Sequence, residues 1–186
     1  MSDPPWEIID SAPTVDGEHL ILARTGERWE VHTGWRVLMT SELYESEEAL
    51  AEYALPRVAH PKRVLVGGLG LGYTLRATLD LLPPDAEVVV AETSEALVRW
   101  NRTYVADLAK RPLEDPRVRV QMGSVVDRIK ESDGAYDAIL LDVDNGPVAL
   151  VHTTNEQLYD DAGIAACVRA LRAGGVLAVW SSHPND

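Results

Sequence analysis

Residues 63–77 read Arg63-Val64-Leu65-Val66-Gly67-Gly68-Leu69-Gly70-Leu71-Gly72-Tyr73-Thr74-Leu75-Arg76-Ala77. The pattern is typical of a buried strand, a glycine-rich turn and the start of a helix. Glycines let the backbone approach a ligand closely. A second apolar run ends on Glu92, about 20 residues after Gly72, where a carboxylate can accept hydrogen bonds from ribose hydroxyls. This arrangement predicts a bound nucleoside-type ligand.

From residue 63 onward, apolar strand patterns alternate with helical patterns, which is typical of a parallel sheet covered on both faces. The predicted strands are 63–67, 87–92, 117–121, 136–142 and 175–181. The predicted helices are 72–82, 94–110, 124–131 and 156–173, the last closed by Gly174 and Gly175. The predicted fold class is therefore α/β, with a doubly wound, mainly parallel Rossmann-like sheet.

Residues 1–60 follow a different pattern, with short apolar and β-branched runs at 18–23, 29–33 and 35–40. Turn residues separate these runs, which predicts a small antiparallel β meander. A helix follows, with Ser46 as its N-cap and Pro56 near its end at about residue 58. We therefore divide the chain into an N-terminal unit, 1–60, and a ligand-binding domain, 61–186.

Composition limits the classes of function. The 186 residues carry a net charge of −13, which disfavours nucleic acid as a partner. No apolar stretch is long enough to span a membrane, and the N-terminus lacks a signal-peptide pattern, so we expect a cytoplasmic protein.

The one cysteine, Cys167, lies in an apolar helical run and is interpreted as a buried core residue. The five histidines show no metal-ligand spacing, so no metal is expected.

Candidate site residues lie directly after predicted strands, because doubly wound sheets bind ligands beyond the carboxyl ends of their strands. Asp142 and Asp144 follow the fourth parallel strand. They could form a carboxylate pair that binds a cation or a substrate amine, or they could cap the next turn. The other candidates follow the first three parallel strands and are assigned to the nucleoside: Gly68, Gly70, Gly72, Glu92, Thr93, Gly123 and Ser124.

The motifs from about Val37 to Trp180 resemble, in order and spacing, those of the polyamine aminopropyltransferases, the spermidine synthase family of class I S-adenosylmethionine-dependent transferases. They are Leu38-Met39, the glycine-rich turn, Glu92, Asp115-Pro116-Arg117-Val118, Tyr136 to Asp142, Asn145-Gly146-Pro147, Leu158-Tyr159 and Leu171 to Leu177.

The resemblance implies a role for each matching residue. Gly68, Gly70 and Gly72 would lie under the methionine and ribose portions of the donor, with Glu92 on the ribose diol. Gly123-Ser124 would flank the adenine. Asp142 would hold the attacking amine and help to remove its proton. The implied donor is S-adenosylmethionine or its decarboxylated form, and the implied partner is a small-molecule amine.

The chain also departs from the family pattern. The aspartate that the family uses in the glycine-rich loop to bind the amine of the decarboxylated donor falls on Gly70 here, and Ser124 replaces the adenine-side aspartate. Three functions therefore stay open: aminopropyl transfer, methyl transfer on the same scaffold, and a catalytically silent nucleoside-binding or dimerisation module. Loss of the donor-binding aspartate would be expected for methyl transfer, because that donor keeps its carboxylate.

The sequence ends soon after the fifth parallel strand, at His183-Pro184-Asn185-Asp186, where family members usually continue through another helix and an antiparallel strand pair. An open sheet edge would promote aggregation. We therefore expect either that the chain is a fragment or that a partner chain, such as the second copy in a homodimer, closes the edge.

Overall fold

The structure is a computed structural model that describes residues 5–14, 17–143 and 157–181. Two sheets account for its strands, one antiparallel and one parallel. The predicted fold class is confirmed: an α/β parallel sheet follows a small N-terminal antiparallel sheet. None of the helices in the described ranges is long and apolar enough to cross a lipid bilayer.

The N-terminal sheet has the strand order β1-β2-β3-β4, and every neighbouring pair is antiparallel. Its strands are β1 (Glu7–Pro13), β2 (His19–Thr25), β3 (Arg28–Thr33) and β4 (Arg36–Thr40). The sequence predicted the last three strands but not β1, whose pairing shifts register between Ile8 and Asp10. This irregularity interrupts the alternation by which strands are detected.

The predicted N-cap at Ser46 is wrong. The N-cap of helix α1 (Glu45–Ala54) lies two residues earlier, at Tyr44, which makes no side-chain cap hydrogen bond. The Ser46 hydroxyl instead lies 2.5 Å from a carboxylate oxygen of Glu47. A short 3-10 turn at Leu55–Arg57 follows α1, consistent with the predicted effect of Pro56.

The parallel sheet has the order β7-β6-β5-β8-β9. Its strands are β5 (Arg63–Gly67), β6 (Glu87–Glu92), β7 (Val118–Met122), β8 (Tyr136–Leu141) and β9 (Leu171–Val179). The order changes direction at β5, which pairs with β6 on one side and with β8 on the other. This switch point is where doubly wound sheets bind their ligands.

Helices cover both faces of the parallel sheet. Alternate strand residues such as Val64 and Val88 face the helices α1 and α2 (Tyr73–Leu81), while Leu65 and Ile139 face α4 (Val125–Lys130) and α5 (Asp161–Ala170). Cys167 is buried in this second layer, as predicted. The buried residues of the central strands β5, β6 and β8 therefore pack on one helical layer or the other, as an apolar parallel strand requires.

Helix α3 (Glu95–Arg102) is shorter than the predicted 94–110. Thr103 leaves helical dihedral angles, and the chain continues through turns that bury Val105 and Ala109 against Trp100 and the N-terminal sheet. Lys110 and Arg111 then adopt positive φ values of 55° and 53°. Tertiary packing therefore overrides the helical pattern after residue 102.

The predicted closure of the last helix by Gly174 and Gly175 is also wrong. Helix α5 ends at Ala170, and β9 begins at once with Leu171. The two glycines lie within β9, where its pairing with β8 shifts register. A Cβ on Gly175 would lie 3.0 Å from the carbonyl oxygen of Asp137, so glycine permits a close approach of the two strands.

Candidate functional site

The loops that follow the parallel strands are joined by backbone hydrogen bonds at the carboxyl edge of the sheet. The amide of Asp142 donates to the carbonyl of Gly67 over 2.9 Å, and the amide of Gly68 donates to Ala91 over 2.9 Å. The amide of Gly123 donates to the main-chain carbonyl of Glu92 over 2.8 Å. The strand ends that carry four of the predicted site positions, Gly68, Glu92, Gly123 and Asp142, are therefore adjacent along one line.

The glycine-rich loop depends on its glycines for two physical reasons. Gly68, Gly70 and Gly72 have φ values of +87°, +51° and +91°, which residues other than glycine rarely adopt. Space is also limiting at Gly72, where a Cβ would lie 2.8 Å from Oδ1 of Asn101. Because Gly72 is the residue before α2, the loop passes directly into the helix N-terminus, which favours negative or electron-rich ligand groups.

Asn101, a residue that the sequence analysis did not single out, supports the loop from α3. Its side-chain amide donates to the carbonyl of Gly70 over 2.8 Å and to that of Leu97 over 3.0 Å. The side chain is buried. A polar residue among the apolar residues of this helix was the only sequence feature that could have drawn attention to Asn101. Its contact with the loop is visible only in the folded structure.

Glu92 is 6% exposed, and its carboxylate lies between the glycine-rich loop and the start of α3. Its Oε2 accepts a hydrogen bond from the amide of Leu69 over 2.9 Å, and its Oε1 accepts one from the amide of Ser94 over 2.7 Å. The Thr93 hydroxyl lies 3.5 Å from the same Oε1. Glu92 therefore fixes the loop and places a carboxylate at the carboxyl edge of the parallel sheet.

The remaining nucleoside-side candidates lie beside Glu92 or after β7. Thr93 and Gly123 are exposed, and Gly123 has a φ of +129° with open space where a Cβ would be. The Ser124 hydroxyl accepts a hydrogen bond from the amide of Val126 over 3.1 Å and caps α4. The structure therefore shows a helix-capping role for Ser124. A contact of Ser124 with adenine stays a prediction.

Asp142 is half-buried directly after β8. Its Oδ2 lies 2.6 Å from the hydroxyl of Thr74, which the sequence analysis also missed. Burial raises the pKa of Asp142 to about 6, the Thr74 hydrogen bond opposes that rise, and the negative charge of Glu47 adds to it. The second predicted catalytic residue, Asp144, lies outside the described residues.

A cavity of about 490 Å³ opens beside Asp142. Among the described residues that line it, the ionisable side chains are Glu47, Tyr73 and Asp142, and no lysine, arginine or histidine is present. The other lining residues come from β4, the start of α1, the glycine-rich loop and the end of β9: Val37, Leu38, Met39, Thr40, Leu43, Ser46, Leu69, Gly70, Leu71 and Trp180. This combination of apolar walls and carboxylates suits a small organic cation.

The stacked rings of Tyr44 and Tyr73 lie next to this cavity, with centroids 4.4 Å apart. Burial raises the pKa of Tyr73 to about 12, and the neighbouring Tyr44 and Glu47 add to the effect. Tyr73 is therefore a neutral phenol at physiological pH. It adds aromatic surface to the cavity without adding charge.

Comparison with known proteins gives a consistent result. The model of the spermine/spermidine synthase domain matches residues 44–185. A polyamine aminopropyltransferase of Thermoanaerobacter sp. (strain X514) is 30% identical over 171 residues, covering 90% of this chain and 58% of the relative. Putrescine N-methyltransferase 1 of Nicotiana tabacum is 30% identical over 133 residues, covering 70% of this chain and 33% of the relative.

The fold comparison agrees. The crystal structure of a spermidine synthase in complex with the transition-state analogue AdoDATO matches with a TM-score of 0.77 at 21% identity, covering 92% of this chain and 57% of that chain. This chain thus spans about one third of the length of the tobacco relative and somewhat more than half the length of the other two proteins. The family model covers most of the chain, including the glycine-rich loop, Glu92 and Asp142, and on this basis the chain belongs to the spermine/spermidine synthase family.

Proposed function

We propose that this protein transfers an aminopropyl group from decarboxylated S-adenosylmethionine to a small amine. The observation that carries the proposal is the position of Asp142, in an apolar cavity that continues from the glycine-rich loop and holds no cationic side chain among its described lining residues. Membership of the spermine/spermidine synthase family supports the same reaction.

Asp142 supplies the base that such a reaction needs. A protonated amine has no lone pair, so one proton must leave the ammonium nitrogen before it can attack. With a pKa of about 6, Asp142 is mostly ionised at neutral pH and is a stronger base than an ordinary aspartate. The carboxylate attracts the ammonium group, accepts its proton, and leaves the nitrogen lone pair directed at the donor.

The bond changes then balance within the two substrates. The amine nitrogen forms a bond to the donor carbon next to the sulfonium sulfur, and the carbon–sulfur bond breaks. Its electron pair goes to sulfur, which becomes a neutral thioether, while the nitrogen gains the positive charge. The protein contributes mainly alignment of the two reactants and exclusion of water.

For the donor, we propose that Glu92 accepts hydrogen bonds from the ribose hydroxyls, and that Gly68, Gly70 and Gly72 give the donor close access to the backbone. The positive φ values of these glycines and the position of the Glu92 carboxylate beside the glycine-rich loop support this assignment. Thr93, Gly123 and Ser124 complete the proposed nucleoside contacts, and Asp144 is a proposed second carboxylate for the amine. Cytoplasmic location, a homodimer and the division at residue 60 remain predictions.

Methyl transfer is the less favoured function. The tobacco relative is named as a putrescine N-methyltransferase, and the glycine-rich loop 67–72 carries no carboxylate for the donor amine. Aminopropyl transfer is favoured because the family model and the Thermoanaerobacter relative both point to it.

Calorimetric titration with decarboxylated S-adenosylmethionine, S-adenosylmethionine and methylthioadenosine tests the proposal. Tighter binding of the decarboxylated donor than of the intact donor is expected. Preference for the intact donor would favour methyl transfer instead. If none of the three ligands binds, the chain is a silent module on its own and the proposal is overturned for this chain.

A further inference from the structure

Thr74 occupies an unusual position for a threonine in the first turn of a helix. It is 1% exposed, and its hydroxyl oxygen lies 2.6 Å from Oδ2 of Asp142 and 3.2 Å from the main-chain carbonyl oxygen of Glu47. Threonine hydroxyls inside helices commonly donate to the carbonyl four residues earlier. Thr78 does so, with its hydroxyl 2.7 Å from the carbonyl of Thr74. The Thr74 hydroxyl is directed away from its own helix, toward α1 and Asp142.

A hydroxyl has one hydrogen to donate, so the two acceptors of Thr74 compete for it. The carboxylate of Asp142 is closer than the carbonyl of Glu47 and carries a charge, and charge-assisted hydrogen bonds are the stronger kind. The hydrogen therefore belongs to Oδ2 whenever Asp142 is ionised. The β-branched side chain has few χ1 choices, which fixes the direction of this bond.

We propose that Thr74 is the positioning residue for Asp142: its hydroxyl holds Oδ2, sets the orientation of the carboxylate plane, and leaves Oδ1 to receive the proton of the amine. This inference rests on the proposed function, in which Asp142 is the base. Thr74 keeps its own hydrogen throughout. The proton that moves travels from the ammonium nitrogen to Asp142.

The groups around Asp142 make the Thr74 hydrogen bond important for its ionisation. The titratable side chains that line the cavity with Asp142, among the described residues, are Glu47 on α1 and Tyr73 on α2. Met39 of β4 and Trp180, directly after β9, line the same cavity. Glu47 and burial both oppose ionisation of Asp142, and the Thr74 hydroxyl favours it. Without the hydroxyl, Asp142 would retain its proton to higher pH and would be a poorly oriented base.

The test compares Thr74→Val, which keeps the shape and removes the hydroxyl, with Thr74→Ser, which restores it. Thr78→Val is the matched control, because Thr78 is buried in the same helix one turn away and does not bond to Asp142. Thr74→Ala provides a second hydroxyl-free variant if the valine variant fails to fold. Near-ultraviolet circular dichroism checks that each full-length variant is folded.

The primary measurement is the NMR titration of the Asp142 carboxyl carbon in the ligand-free protein, assigned with Asp142→Asn. Thr74→Val should raise the Asp142 pKa by about one unit, with Thr74→Ser near wild type and Thr78→Val unchanged. The acidic limb of the turnover–pH profile should move in the same direction. An unshifted Asp142 titration in folded Thr74→Val would overturn the inference. Absence of turnover with every donor would instead refute the proposed function, because the ligand-free titration does not depend on turnover.

Discussion

Gly68 lies against the backbone of Asp142, so closely that a Cβ at position 68 would overlap the carbonyl oxygen of Asp142. The glycine-rich loop and the proposed base are therefore in direct backbone contact. The amide of Asp142 also donates to the carbonyl of Gly67 over 2.9 Å, which joins the ends of β5 and β8. A side chain at position 68 would therefore displace the backbone of Asp142.

Substitution Gly68→Ala should reduce the free energy of unfolding by about 2–4 kcal/mol, because it combines a positive φ with overlap on rigid backbone. The matched control is Gly34→Ala, where φ is +56° and a Cβ would meet nothing within 4 Å. The control should cost only about 1 kcal/mol. Urea denaturation measures both, and equal losses would show that the contact with Asp142 has no energetic effect.

Asp142→Asn should stabilise the protein at neutral pH. The folded-state pKa of Asp142 is raised from 3.8 to about 6, so between these values the folded state holds a proton that the unfolded state has lost. The free energy of unfolding therefore falls as pH rises through this window, by about 2–3 kcal/mol in total. Asparagine stays neutral and avoids this loss.

The check is urea denaturation of wild type and Asp142→Asn at several pH values. The two proteins should have similar stability below about pH 4, and the variant should be the more stable one above about pH 7. A variant advantage that is constant with pH would mean that the substitution acts through packing and that the Asp142 pKa is not raised.

Glu92→Ala should weaken nucleoside binding at least tenfold, since it removes a charged acceptor from the proposed ribose site. Glu87→Ala is the control at the opposite end of β6, where the Glu87 side chain is exposed and lies 3.6 Å from Arg63. Calorimetry with methylthioadenosine should show near-normal affinity for the control. Unchanged affinity in Glu92→Ala would remove Glu92 from the proposed donor site.

Asn101→Ala should raise the KM for the donor roughly tenfold with a smaller effect on kcat, because the carbonyl of Gly70 loses its side-chain donor. Thr103→Ala serves as the control: Thr103 is exposed, and its hydroxyl lies 2.9 Å from the carbonyl of Arg99, away from the loop. Steady-state kinetics with the donor varied gives both parameters. An effect on kcat alone would contradict a role for Asn101 in shaping the donor site.

Much of the parallel sheet was predictable from local pattern. The predicted strands 63–67 and 87–92 have the same bounds as β5 and β6, because short β-branched runs bounded by turn residues define them clearly. Positions at strand ends were also predictable, since a parallel sheet brings the carboxyl ends of its strands to one edge. The positions of Glu92 at the end of β6 and of Asp142 directly after β8 were predicted for that reason.

The supporting residues were not predictable from the sequence alone. Thr74 and Asp142 are 68 positions apart, and Asn101 and Gly70 are 31 positions apart. No local period connects residues at such separations, and the contacts exist only because α2 and α3 pack beside the strand ends. The course of the chain after Arg102 was missed for a related reason, because burial of Val105 and Ala109 determines it.

The most direct test of the central claim is the identity of the product formed from a small diamine such as putrescine, analysed by mass spectrometry with each donor in turn. Wild-type protein with decarboxylated S-adenosylmethionine should yield the aminopropylated amine and methylthioadenosine, and Asp142→Asn should lose this turnover while retaining donor binding. A methylated amine formed from intact S-adenosylmethionine, or full turnover by Asp142→Asn, would contradict the account.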